Sequence, residues 1–392
     1  MKPRFSVALI IETSSTYGRQ ILHGIARYQR AHEEWSLFLE ERESRIPPPE
    51  WLLAYGCDGV ICRSTTPELA HLLREHAIPT VDLNDHYGYL GLPRIGSDMP
   101  ALGRLAAEHL LERGFRHFAF YGIQDETWSA GRLVGVRDAI QERGELCGVF
   151  EHPNARLHRN VWQEEREALC AWLRDLPRPL GIVACNDVRA HYVLDACRVL
   201  SLAVPEEVAV VGIDNGEPFC ELCQPSLSSV IPDAERIGFE AASLLDRLMN
   251  GEVTSRHNGA TSTAELLLPP QGIVVRQSSD VLAIDDPTIA AALRFIREHA
   301  CEGITIADVL ARVPLSRSGL ERGFRQYLGH SPQAEMRAGR LQKVKQLLAQ
   351  TDWPLTRIAE ATGFDFPNYM MAQFKRSTGT TPSQWRRDKR AS

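Results

Sequence analysis

The sequence predicts a two-lobed α/β block built on doubly wound parallel sheets, followed by an all-α domain with two helix-turn-helix units. Three observations carry this expectation. Over the first 280 residues, compact apolar β-rich runs alternate with segments of helical period, the pattern of βαβ units with helices on both faces of a parallel sheet. From Thr288 onward no β pattern survives. The net charge of −6 also divides unevenly: residues 287–392 carry 17 Lys and Arg against 9 Asp and Glu, a net of +8, leaving 27 against 41, or −14, in front. A basic small domain has the electrostatic footprint of a polyanion binder.

At 392 residues the chain is too long for one core, and 44% hydrophobic with 24% charged residues exclude a disordered chain or a rod. No apolar run exceeds the six residues of Ala168 to Leu173, and the N-terminal one, Val7 to Ile11, is likewise far short of the roughly 18 residues a bilayer span needs. It follows Lys2 and Arg4, but Glu12 ends it and no small-residue cleavage site follows, so a cytoplasmic location and no membrane partner are expected. Nine cysteines at irregular spacing fit reduced thiols. The lone pair Cys220 and Cys223 lies between Pro218 and Pro225, which places it in a loop, and no metal or cofactor is expected.

Strands are expected at 5–11, 35–40, 59–62, 79–83, 115–122, 180–185 and 208–214, with further strand-like runs at ELLLPP and GIVVRQSS. Helical periods fill 101–112, stopped by Gly114, and 188–200, followed by Pro205. Two lobes, roughly 1–95 and 96–240, with late segments crossing back, suit a block of this size and leave a cleft between them. Residues 251–263 are a polar Gly/Ser/Thr-rich stretch. The domain plan is thus an α/β domain at 1–280, a linker at 281–287 and a helical domain at 288–392.

In the helical domain, segments at 288–300, 305–312, 316–328, 332–350, 355–362 and 367–378 follow one another. TIADVLARVPLSRSGLERGFRQYLG sets a short helix, a break at Val313 to Leu315, a cap at Ser316 and a second helix, the spacing that lays one helix in the major groove while the first packs across it. PLTRIAEATGFDFPNYMMAQFKRSTG repeats the plan about 50 residues later, with Gly363 at the turn and Pro367 opening the next helix. The 332–350 helix between them would span roughly 28 Å, near the 34 Å between successive major-groove faces.

The ending GFDFPNYMMAQFKRSTGTTPSQWRR resembles the signature of AraC/XylS-type transcription regulators, and the resemblance covers residues 288–388. It implies that Arg317, Ser318, Glu321 and Arg322 lie on the first recognition helix and Pro367, Asn368, Met371 and Gln373 on the second. Arginine can pair with guanine and Asn or Gln with adenine, while Arg325, Lys375 and Arg376 are expected on phosphate. Two departures stand out: Gly319 and Gly323 inside the first recognition helix each cost about 1 kcal/mol of helix propensity, so readout there is expected to be weakened. Pro314 in the first turn replaces a common glycine and stiffens it.

In the front block, polar residues cluster just after strands: Ser14, Ser15 and Tyr17; Asp82 and Asn84; Trp128 and Arg132; Asn186 and Asp187; Asp214 and Asn215. Ligands of open α/β sheets bind at the carboxyl ends of strands. Sugars need paired acceptors and donors beside a flat aromatic such as Trp128. The same residues have local uses, since Asn186 or Asp187 can cap the following helix and Asp214-Asn215 can make a turn.

IGSDMPALGRLAAEHLLERGFRHFAFYG, GIVACNDVRAHYVL and VAVVGIDN resemble the LacI/GalR type of periplasmic-binding-protein fold, over residues 4–279. That resemblance implies sugar contacts by Arg132 in RLVGV, Asp187 in CND and Asp214 in GIDN, with Trp128, Asn186, Tyr17 and Asp82 behind them. Such a sensor ahead of an AraC-type reader resembles the XylR-type xylose operon regulators. It implies a regulator of pentose catabolism genes with D-xylose as the leading effector and another pentose or an unrelated small ligand as the alternative, an activator first with a repressor left open, and with operator DNA and RNA polymerase as partners. A homodimer is expected because one chain reads two adjacent groove segments. An enzyme would need a phosphate loop, nucleophile elbow or zinc motif, and GxxxxGK[ST], GxGxxG, GxSxG and HExxH are all absent. A sugar-binding protein without regulatory function would have no use for the basic domain.

Overall fold

The computed structural model describes residues 5–32, 35–39, 56–141, 143–153, 161–252, 265–281, 284 and 286–391. These form two compact units, Met1–Asp280 and Val281–Ser392. Most of the polar stretch at 251–263 lies outside the described residues, as do three positions of the predicted linker.

The first unit runs β1 (Phe5–Ile10), α1 (Thr16–His32), β2 (Trp35–Leu39), β3 (Gly59–Cys62), α2 (Pro67–Glu75), β4 (Thr80–Asp82), β5 (Arg94–Ser97), α3 (Met99–Glu112), β6 (His117–Ile123), α4 (Thr127–Ile140), β7 (Glu145–His152), α5 (Val161–Arg174), β8 (Leu180–Ala184), α6 (Asp187–Val199), β9 (Val208–Ile213), α7 (Glu217–Leu222), β10 (Ser228–Ile231), α8 (Ala234–Met249), β11 (Glu265–Leu268) and β12 (Gly272–Val274). Its strands make two six-stranded sheets, ordered β11-β5-β4-β3-β1-β2 and β12-β10-β9-β8-β6-β7. Pairing is parallel except where β12 runs against β10.

Near-continuous apolar strands such as β3, β8 and β9 are buried along their whole length, as both-face helix cover demands. In each sheet the strand order reverses beside the first strand of the lobe, between β1 and β3 and between β6 and β8. Such switch points open a crevice at the carboxyl ends of the strands.

The lobe boundaries differ from the expected 1–95 and 96–240. Helix α3 packs on α4 and the second sheet, whereas α8 packs on α1 and the first, and β11 and β12 divide between the sheets. The crossings thus fall after β5, β10 and β11. Small residues make both helix pairs close: a Cβ at Gly24 would stand 1.9 Å from Glu235 O, and one at Gly103 would stand 1.9 Å from Arg132 O. Strands β5, β7 and β10 escaped the sequence reading. RIGS is short and holds a glycine, ELCGVFEH is a half-exposed edge strand, and SSVI buries two serines that hydrogen-bond rather than pack.

The CxxC cysteines belong to a short helix rather than a loop, because Cys220 lies within α7 and Cys223 caps its end. Both are buried and free. Among the described residues no His, Cys, Asp and Glu cluster could hold a metal, and no helix is long and apolar enough to cross a membrane.

The second unit is α9 (Pro287–His299), α10 (Ile306–Leu310), α11 (Arg317–Leu328), α12 (Pro332–Gln350), α13 (Leu355–Ala361), α14 (Pro367–Thr378) and α15 (Pro382–Ala391). Helix α9 already begins at Pro287, with Asp286 Oδ1 accepting from Thr288 and Ile289 N, so the end of the predicted linker belongs to the helical unit. Helix α12 carries Leu341, Val344 and Leu348 into a core shared with Ile358, Phe364, Met370 and Phe374. On its other side it takes Arg297 on Glu335 at 2.9 Å and sets Arg340 on Ala300 O at 2.7 Å.

Candidate functional site

The second lobe's wall starts where β6 runs into α4. Ser129 Oγ accepts from Ile123 N at 3.0 Å and fixes this turn. Trp128 is half-buried, and one turn on, the Arg132 guanidinium lies 5.0 Å above its ring. Arg132 is 3% exposed. It donates to Cys185 O at the end of β8 and, at 3.1 Å, to Asp214 Oδ1 after β9, while its Nε has no partner.

Asn186 caps α6, its Oδ1 accepting from Arg189 N at 2.9 Å. Asp187 is buried and fully engaged within its lobe. Its Oδ1 accepts from Ser229 Oγ at 2.5 Å, and its Oδ2 accepts from Gly216 N at 2.9 Å and Cys220 Sγ at 3.3 Å. Burial, then the Asp214 carboxylate, push the Asp187 carboxyl above the usual carboxylate range. Burial raises Asp214 as well, against the pull of Arg132.

Asp214 and Asn215 sit at φ 116° and 42°, left-handed values that cost non-glycine residues energy and that aim the Asp214 carboxylate at Arg132. Asn215 is held by Arg276, whose Nη1 donates to its Oδ1 at 3.0 Å.

The first lobe's wall comes from the ends of β1, β3 and β4. Tyr17 bonds Ser97 Oγ at 2.8 Å, and Arg63 lies 4.8 Å over its ring. Arg63 pairs with the buried Glu12 and with Asp85, leaving its own Nε buried without a partner and Asp85 Oδ1 buried without a hydrogen bond. Burial alone would raise the Asp85 carboxyl, but Arg63 and then His86 hold it below the usual range. The lobes touch here: Thr127 Oγ1 donates to Asp85 O at 2.5 Å, and His86 Nδ1 bonds Glu126 Oε2 at 2.8 Å.

Of the residues expected in the cleft, Arg132, Asp214, Trp128 and Tyr17 converge there. Asp82 does not: it is fully buried inside the first lobe, with Asn84 N at 3.0 Å and the Asn84 amide on its two oxygens. Asn186 spends its side-chain oxygen on the helix cap. Glu12, Arg63, Asp85, His86, Glu126 and Arg276 went unread in the sequence. Arg63 had one available signal, since it immediately follows β3 at the switch point.

In the helical unit, Ser316 Oγ caps α11 by accepting from Gly319 N at 3.1 Å. Leu320, Gly323 and Phe324 face inward, so Arg317, Ser318, Arg322 and Arg325 stand on the exposed face with Glu321 at its edge. In α14 the inward set is Met370, Gln373 and Phe374, and Asn368, Lys375 and Arg376 are exposed with Pro367 half-buried. This corrects one expectation. Gln373 is only 9% exposed because it shares the inward side of α14 with Met370 and Phe374, while Met371, like Pro367, is half-buried on the expected helix. Tyr369, 52% exposed, occupies the outward face instead.

Gly323 is also better explained by packing than as a weakness in the helix: a Cβ there would stand 2.2 Å from Ile289 Cδ1 of α9. Gly323→Ala is therefore expected to lose about 1 to 3 kcal/mol by overpacking, despite alanine's higher helix propensity. Thermal melting checks this, and adding Ile289→Ala should recover part of the loss.

Known proteins align with this arrangement along almost the whole chain. A family model described as a XylR N-terminal domain matches residues 6–91, a periplasmic binding protein-like domain matches 107–279, and a helix-turn-helix domain matches 309–388. The xylose operon regulatory protein of Haemophilus influenzae is 34% identical, covering 97% of this chain and 98% of its own. This chain belongs to the xylose operon regulatory protein family. Its Escherichia coli K12 relative is 33% identical over 98% of this chain and 97% of its own. A solved structure titled as the xylose-binding transcription activator xylR superposes with a TM-score of 0.79 at 32% identity, covering 98% of both chains. Like those regulators, this family member is a DNA-binding transcription regulator and not an enzyme.

Proposed function

We propose that residues 1–280 bind a small neutral sugar, D-xylose first among them, and that this event changes operator binding by residues 288–392. The observation that carries the reading is the set of buried polar atoms without hydrogen bonds at one cleft: donors Arg63 Nε and Arg132 Nε, and acceptor Asp85 Oδ1, which faces only His86 Nε2 at 3.6 Å, beside the rings of Tyr17 and Trp128. Each such atom costs about 1 to 3 kcal/mol until satisfied. A polyhydroxyl ligand offers donors and acceptors together. A sugar acid suits the cleft less well, because Glu12, Asp85, Glu126, Asp187 and Asp214 outnumber Arg63, Arg132 and Arg276 there. The names of the relatives favour xylose among neutral sugars.

In this reading Arg132, Asp214, Trp128, Tyr17, Arg63 and Asp85 touch or frame the sugar, and Asp187 and Asn186 hold the wall. Arg317, Ser318, Glu321, Arg322 and Asn368 face bases, while Arg325, Lys375 and Arg376 take phosphates. The protein works in the cytoplasm as a homodimer, activates transcription through RNA polymerase, and couples lobe closure to the placement of its paired readers.

The test is to titrate full-length protein with operator DNA at fixed salt, with and without saturating D-xylose, L-arabinose, D-ribose or D-xylonate. A 5- to 150-fold tightening by D-xylose, about 1 to 3 kcal/mol, is expected. No change with D-xylose removes it as the effector, and a response to another aldose transfers the mechanism to that sugar.

A further inference from the structure

Glu126 stands at the residue before the first turn of α4, where a side chain ordinarily accepts from the helix's free N–H groups, yet it makes no capping bond. Its carboxylate is 1% exposed, and Oε2 faces two other donors: Trp128 Nε1 at 2.8 Å and His86 Nδ1 at 2.8 Å. The donors come from different lobes. Trp128 belongs to α4 in the second lobe, and His86 to the loop after β4 in the first. The neighbouring pair repeats the connection, Thr127 Oγ1 donating to Asp85 O at 2.5 Å. The other nitrogen of His86 lies 3.6 Å from Asp85 Oδ1, so the imidazole sits between one carboxylate from each lobe.

The geometry points to Glu126 as a positioning residue that ties the Trp128 wall to lobe closure through His86. The inference rests on the sugar-binding reading. When the lobes part, Glu126 exchanges His86 for water, and the indole keeps an acceptor that is no longer clamped from the other side. The closed form therefore holds a charge-assisted hydrogen bond that the open form lacks, and a ligand selecting the closed form binds more tightly in proportion. Neither Glu126 nor His86 needs to contact the sugar for this. Thr127 on Asp85 aligns the same closure with the Arg63–Asp85 pair on the opposite wall.

The experiment uses the full chain as wild type, H86A, E126Q and the double variant. D-xylose association and dissociation rates are measured, and amide hydrogen exchange is followed across residues 84–89. Each single variant should release D-xylose about tenfold faster with little change in association, and the double variant should be no worse than the more affected single. E126Q should also speed exchange at 84–89 in the opposite lobe, which a purely local packing defect would leave alone. Unchanged dissociation in H86A, losses that multiply in the double variant, or unaltered exchange at 84–89 in E126Q would each overturn the inference. If wild-type protein fails to bind D-xylose, the choice of ligand falls separately, and the exchange comparison still decides whether Glu126 reaches across the lobes.

Discussion

Arg132→Ala is expected to weaken D-xylose binding by roughly 100- to 1000-fold, the largest single-residue effect in the cleft. The guanidinium does three things at once: it bonds Cys185 O, pairs with Asp214 at 3.1 Å and stacks over Trp128 at 5.0 Å. Truncation leaves the raised Asp214 carboxyl without its cation and frees the Trp128 face, while the unpartnered Nε is lost to the ligand. Calorimetry with D-xylose reads the loss. Operator affinity without sugar should stay within about twofold of wild type, since the helical unit is compact by itself. A sugar affinity within about threefold of wild type would place Arg132 outside the ligand's contacts.

The second large effect concerns salt. The isolated unit Val281–Ser392 is expected to bind duplex DNA with an affinity that drops by about 40-fold between 50 and 200 mM salt. The three exposed basic side chains assigned to phosphate, Arg325, Lys375 and Arg376, would displace about three condensed counterions, for a log–log slope near −2.7. Fluorescence anisotropy across a salt series measures the slope directly. Lys375→Ala should lower its magnitude by about 1 and weaken all sequences alike, as expected of a phosphate contact. A slope near zero in a folded fragment would mean that these side chains do not meet the backbone.

Much of this was legible along the chain because the signals are local. The buried runs of β1, β3, β8 and β9 are continuous and apolar, so their identity needs no partner to be read. The helical unit announced itself by duplication: two segments with the same helix, break and helix order and the same inward apolar spacing are hard to produce without two similar units. Even the caps at Ser316 and Asn186 follow from side-chain chemistry acting over three residues.

What the sequence alone determined, then, was the kind of molecule: two α/β lobes with polar residues after their strands, and a basic pair of helix-turn-helix units. Tertiary structure decided which of those polar residues share a cleft. Asp82 ends one strand of the first sheet and Arg63 follows another, yet one turns onto Asn84 inside the lobe and the other onto Glu12 and Asp85 at the mouth. Gln373 looked like a reader until the helix's rotation against Phe374 and Met370 buried it. Glu126 and His86 are 40 positions apart in different lobes, and their contact arises when the two sheets face each other. Residue type and spacing encode the period of an element, but contacts between distant elements depend on how those elements rotate and pack. That is a collective outcome of the whole core, which no short segment of sequence contains.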